Sequence, residues 1–176
     1  MKITNVETFI LKDELSKSFF FSQWEYSERC VCLVKITASD GTIGWGEGYG
    51  PAAVIESGIN LLRPIIINQN PLENEVIWNH MYRKTLDYAR KGVLVASMSA
   101  IDIAIWDLKG KLLGLPVSIL LGGAHRKSIK PYATGLYFTD KENPSKNFEK
   151  EVNDYLQRGF KAIKMKVGLG VETGYG

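Results

Sequence analysis

Residues 92–116, GVLVASMSAIDIAIWDLKGKLLGLP, restrict the fold more than any other stretch of the chain. The apolar residues recur at helical spacing but cover most of the faces. A helix apolar nearly all round is central rather than superficial, so other elements must cover it from several sides. Asp102 and Asp107 are embedded in it, and the predicted reading for both is a hydrogen-bonded structural role. The helix stops where the chemistry asks it to, with Gly114 as the residue after the last turn and Pro116 shortly beyond.

The flanking sequence supplies the cover. KITNVETFIL alternates polar and apolar residues, CVCLVKITA is β-branched and apolar, and SDGTIGWGEG holds Asp40-Gly41, a tight-turn pair. These predict a three-stranded antiparallel meander. Between the first two strands lies KSFFFSQWEYS, with Phe19, Phe20, Phe21, Trp24 and Tyr26. It shows no helical or strand period and is read as an aromatic loop, which either folds over a core edge or covers a ligand. From Ala52 the pattern turns helical. AVIESGINLLRPIIIN and PLENEVIWNHMYRKTLD form a predicted pair, the second opened by Pro71 in its first turn.

The chain changes character after Ser128. IKPYATGLYF reads as a strand, and Asn143 and Pro144 read as the N-cap and first position of a helix. Phe148, Val152, Tyr155 and Leu156 make that helix's apolar stripe, Gly159 ends it, and FKAIKMKV follows as a second strand. This is a βαβ unit with two parallel strands. Parallel sheets need both faces covered, and two strands cannot provide that alone. In the second strand Ala162, Lys164 and Lys166 share one face, while Ile163, Met165 and Val167 share the other. Two lysines facing solvent at an edge are ordinary; two lysines facing the inside of a larger structure are chemistry. Spacing leaves both readings open.

Composition narrows the classes. The 22 basic and 19 acidic residues give a net charge of +3 with no basic block, which argues against a nucleic-acid footprint. The N-terminus lacks the apolar core of a signal peptide. Apolar runs such as LLRPIIIN are short and broken by Arg63 and Pro64, so no membrane span is expected. Cys30 and Cys32 read as small buried residues of a reducing compartment, and with only His80 and His125 elsewhere no Cys/His metal cluster has the spacing. The expected location is cytoplasmic.

Three stretches together resemble the mandelate racemase and muconate lactonizing enzymes of the enolase superfamily. They are GTIGWGE at the turn into the third strand, SAIDIAIWDLKGKLLGLPVSILLGG at 99–123, and the Lys-x-Lys of Lys164 and Lys166. Within that family, YATG and the long helix are most similar to the galactarolactone cycloisomerase-like sugar-acid members. The resemblance implies an α+β capping domain over residues 1–128, made of the meander and a helical bundle, followed over 129–176 by the start of a (β/α)8 barrel. Such barrels take about 250 residues when complete. The residues after Ser128 suffice for two strands of eight, so the implied reading is a truncated family member. The three strand-borne carboxylates that bind magnesium in the family lie beyond them, and no metal ligand or cofactor is expected in this chain. The tail VETGYG departs from the acidic helix start usual in the family.

The resemblance also implies a mechanism for intact relatives. A proton α to a carboxylate is abstracted and a magnesium-stabilised enediolate forms, in racemases, dehydratases and cycloisomerases acting on small carboxylate or sugar-acid substrates. Lysine is protonated at neutral pH and a poor base, and a second ammonium or a dication nearby disfavours its charged form. Lys166 is then the implied base, with Lys164 as its electrostatic partner and the group that binds the substrate carboxylate. Phe19, Phe20, Phe21, Trp24, Tyr26 and Tyr49 match capping-domain loops that close over substrate and exclude water; Glu47 reads as structural. An intact protein is expected to form a homo-oligomer, and this chain alone is expected to be inactive. The competing class is a stand-alone capping domain serving as an interaction module.

Overall fold

A computed structural model of the chain describes residues 1–21, 24–140, 143 and 145–168. In order the elements are β1 (Ile3–Phe21), β2 (Trp24–Ala38), β3 (Ile43–Gly48), α1 (Ala52–Ile66), α2 (Asn74–Lys84), α3 (Val93–Leu113), the single turn α4 (Val117–Leu120), β4 (Ala133–Thr134), α5 (Phe148–Gln157) and β5 (Ile163–Lys164). They fall into two compact units, one of residues 1–12 and 30–125, the other of residues 13–29 and 126–176.

In the first unit the expected antiparallel meander is present, in the order β1-β2-β3. Its β2–β3 turn is the Asp40-Gly41 pair: the Gly41 N–H donates to Ala38 O at 3.0 Å, the Thr42 N–H to Asp40 Oδ1 at 3.0 Å, and Gly41 takes a φ of 87°. The Thr42 N–H holds the Asp40 carboxyl below its ordinary range.

The register pairs Cys32 with Gly48, Val34 with Gly46 and Ile36 with Gly44. All six face inward and are buried. Three glycines at every second position leave this face of β3 without side chains, and α3 lies directly on it. A Cβ on Gly44 would meet the Ala104 carbonyl oxygen, and one on Gly46 the Ala100 carbonyl oxygen. The alternation places Trp45 and Glu47 on the outer face. The Trp45 N–H donates to Asp107 Oδ2 at 2.8 Å, and Lys111 Nζ bridges that oxygen at 2.6 Å and Ile43 O at 2.9 Å. Asp107 therefore ties α3 to β3.

The central position expected for α3 holds: Met98, Ala100, Ile101, Ala104, Ile105 and Leu108 are fully buried. Gly114 ends it in the left-handed conformation at φ 64°, and the Leu115 N–H reaches back to Gly110 O at 2.9 Å. Helices α1 and α2 contribute Ile55, Ile59, Leu62, Ile66, Ile77 and Met81 to the same core. Helix α2 starts later than the sequence implies. Pro71 lies in a preceding turn, where the Leu72 N–H donates to Asn70 Oδ1 and the Glu73 N–H to Asn70 O, so this turn takes the donors before the helix begins.

The second unit corrects three expectations. The aromatic segment is strand, not loop: β1 runs through Phe21 and β2 starts at Trp24. It carries aromatic residues on both faces, so no polar–apolar alternation marked it. Phe20 exchanges backbone hydrogen bonds with Phe138 at 2.8 and 3.0 Å, and Phe138 stacks in turn on Phe148. Helix α5 starts at Phe148 rather than after Asn143, because the Phe148 N–H is taken by a turn from Ser145. Pro144 and the tail VETGYG lie outside the described residues. The two strands of the βαβ unit pair in parallel as expected, Ala133 with Ile163 and Thr134 with Lys164, but each is two residues long. As two strands alone imply, the apolar residues of this stretch stay open, with Met165 47% and Val167 79% exposed. Gly159 ends α5 at φ 87° as its position implies.

Candidate active site

Within the second unit, three segments distant in sequence converge: two bring aromatic side chains together, and the third, the end of β5, brings a lysine to them. The outer parts of β1 and β2 form one of them. Alternation splits the three consecutive phenylalanines. Phe20 is buried beside Phe138, whereas Phe19 and Phe21 point the other way. Tyr26 stacks on both, with ring centroids 5.3 Å from Phe19 and 5.5 Å from Phe21, and Trp24 lies 5.9 Å from Phe21. The Arg29 guanidinium covers the Phe19 ring at 4.7 Å.

The second segment is the turn after β4, and it delivers Tyr137, a residue the sequence reading did not single out. Its ring meets Phe19 at 4.7 Å and Phe21 at 5.8 Å. The turn is held from below. Leu136 adopts a positive φ of 54°, and its N–H donates to Glu151 Oε1 at 3.0 Å. That carboxylate also accepts from the Tyr155 hydroxyl at 2.6 Å, which pushes the phenol up to about 12. Gly135 leaves no room for a Cβ, which would strike the Tyr155 hydroxyl and Glu151. Only the two left-handed and bare positions, Leu136 and Gly135, hint at this turn in the backbone. In the sequence Tyr137 is one tyrosine among eight.

The third segment is the end of β5. The strand stops at Lys164, so strict alternation does not extend to Lys166. The two lysines differ in environment. Lys164 is exposed, whereas Lys166 is half-buried, its Nζ 4.4 Å from the Phe21 ring centroid and 5.6 Å from that of Tyr137. Tyr49 belongs to the first unit and is 92% exposed. Glu47 lies on the outer face of β3. Asp102 is half-buried on α3, where burial and the Glu75 charge push its carboxyl up. Burial likewise raises the Cys32 thiol; Cys30, expected to be buried too, is exposed.

The described residues include no group of three or more His, Cys, Asp or Glu side chains arranged to hold a metal ion. No helix among the described residues is long and apolar enough to cross a membrane.

A meander whose glycine face is capped by a central helix, followed by a short parallel strand pair, matches the N-terminal part of enolase-superfamily proteins. Residues 5–122 match the family model for the mandelate racemase / muconate lactonizing enzyme N-terminal domain, and the chain belongs to that family. It is 38% identical over 172 residues to the D-galactarolactone cycloisomerase of Agrobacterium fabrum, a match covering 98% of this chain and 46% of that protein. The crystal structure of the 3,6-anhydro-D-galactonate cycloisomerase from Zobellia galactanivorans superposes with a TM-score of 0.84 at 49% identity, covering 99% of this chain and 45% of that one. The L-talarate/galactarate dehydratase of Salmonella typhimurium matches with a TM-score of 0.83 at 26% identity, over 97% of this chain and 45% of that one. The chain thus spans about half the length of the relatives it matches. Its family includes cycloisomerase, dehydratase and racemase relatives, and the enolase superfamily is generally metal-dependent.

Proposed function

We propose that this chain contributes to a sugar-acid cycloisomerase, with residues 1–128 forming the capping domain and residues 129–176 opening the barrel. Lys166 removes the proton α to the substrate carboxylate. Lys164, on the open side of β5, pairs with that carboxylate. Phe19, Phe21, Trp24 and Tyr26 form an apolar wall that excludes water from the reacting carbon, and Phe20 braces it from behind. The observation that carries the reading is the convergence of the hairpin aromatics, Tyr137 and Lys166 at the end of a parallel strand, the end where barrel enzymes assemble their chemistry. Two of the relatives named above are cycloisomerases of six-carbon sugar acids, which favours a cyclised sugar acid, an anhydro acid or a lactone, as substrate class.

The test joins residues 1–168 of this chain to the remainder of the Zobellia galactanivorans enzyme. The chimera is expected to turn over 3,6-anhydro-D-galactonate and to lose turnover on Lys166→Met. A folded chimera that is inactive, or one indifferent to Lys166→Met, would overturn the assignment.

A further inference from the structure

The lysine assigned to proton abstraction is also the one held by rings. An ammonium within about 6 Å of a ring centroid is attracted by the ring quadrupole, and a neutral amine is not. Lys166 Nζ satisfies that distance to both Phe21 and Tyr137. Neither ring is free to drift. Phe21 is stacked by Tyr26 at an interplanar angle of 12°, and Tyr137 is set edge-on against Phe19 and anchored through the Leu136–Glu151–Tyr155 hydrogen bonds.

We propose that Phe21 and Tyr137 are positioning residues that clamp the Lys166 ammonium. The β1 end and the turn after β4 together then decide where this amine lies and how readily it is released to react. The inference rests on Lys166 being the acting amine, yet the clamp is measurable without turnover.

The full 176-residue chain is treated with a limiting soluble acylating reagent, and the rate at each lysine is read by peptide mass spectrometry. A parallel sample is reductively methylated with 13C for NMR. Phe21→Leu and Tyr137→Leu are each expected to raise the Lys166 rate about two- to fivefold relative to Lys164. Phe21→Tyr and Tyr137→Phe keep a ring in place and should leave that ratio unchanged. The Lys166 methyl resonance, assigned by its loss in Lys166→Arg, should be displaced by ring currents in the parent and in the two ring-preserving variants. A parent resonance at the common lysine position, or a rate ratio unmoved by both leucine variants, overturns the clamp. If a leucine variant unfolds, the parent resonance and the ring-preserving pair still decide. A clamp found alongside an inactive chimera sinks only the catalytic assignment, and an active chimera without ring-current displacement sinks only the clamp.

Discussion

Gly46→Ala tests the packing that seats the capping sheet. The added methyl would strike the Ala100 carbonyl oxygen and lie 2.8 Å from Ala104 N, both backbone atoms of α3. Neither can rotate aside, because each belongs to the helix's own hydrogen-bonded ladder. Relief requires strand and helix to part by about 1 Å, a gap that forfeits a quarter to a half of each pairwise dispersion contact across the interface. Overpacking of this kind typically costs about 1–3 kcal/mol, and a backbone-against-backbone clash lies at or above the top of that range. With a urea dependence of about 1–3 kcal/mol per molar, the unfolding midpoint should fall by about 1–3 M. Two controls frame the result. Gly41→Ala meets open space but must hold φ at 87°, which costs about 1–2 kcal/mol. Glu47→Ala, on the exposed outer face, should stay within about 0.5 kcal/mol of the parent. A Gly46→Ala midpoint matching that of Glu47→Ala would refute the account of the glycine face.

Two titrations give further checks. The Tyr155 phenol is raised above its ordinary value of 10.0, to about 12, chiefly by its hydrogen bond to Glu151. The folded state therefore holds this proton more tightly, and the associated stability is complete below pH 10 and lost as pH rises toward 12; absorbance titration of Glu151→Gln should show the phenol returning toward its ordinary value. Asp102 is raised above the ordinary carboxylate value by burial and by Glu75, so its charge disfavours the folded state at neutral pH. Asp102→Asn should raise the thermal midpoint at pH 7, with the gain vanishing as pH falls below the ordinary carboxylate range; an unchanged midpoint at pH 7 would count against that burial cost.

Local chemistry made the turns and helix ends legible. Asp40-Gly41 makes its turn through contacts within four residues, and Gly114 and Gly159 stop their helices because few other residues adopt their left-handed backbone. The apolar girth of 93–113 announces a central helix, since no arrangement leaves such a surface in water at low cost. What lay beyond the sequence was the state of segments whose conformation depends on partners. Phe19–Phe21 carry no alternation because both faces are aromatic. Their strand is part of the β1-β2-β3 sheet, with Phe20 bridged to Phe138 and with Tyr26 and Tyr137 against the Phe21 ring. The sequence by itself marked Lys164 and Lys166 as a pair by spacing and placed them at the end of a parallel strand. Tertiary structure alone separated them, leaving Lys164 exposed and laying Lys166 against two rings, one of them Tyr137, which no local pattern singled out. Short-range preferences are written in neighbouring residues, but an ammonium's environment is the sum of groups that the fold brings from far along the chain.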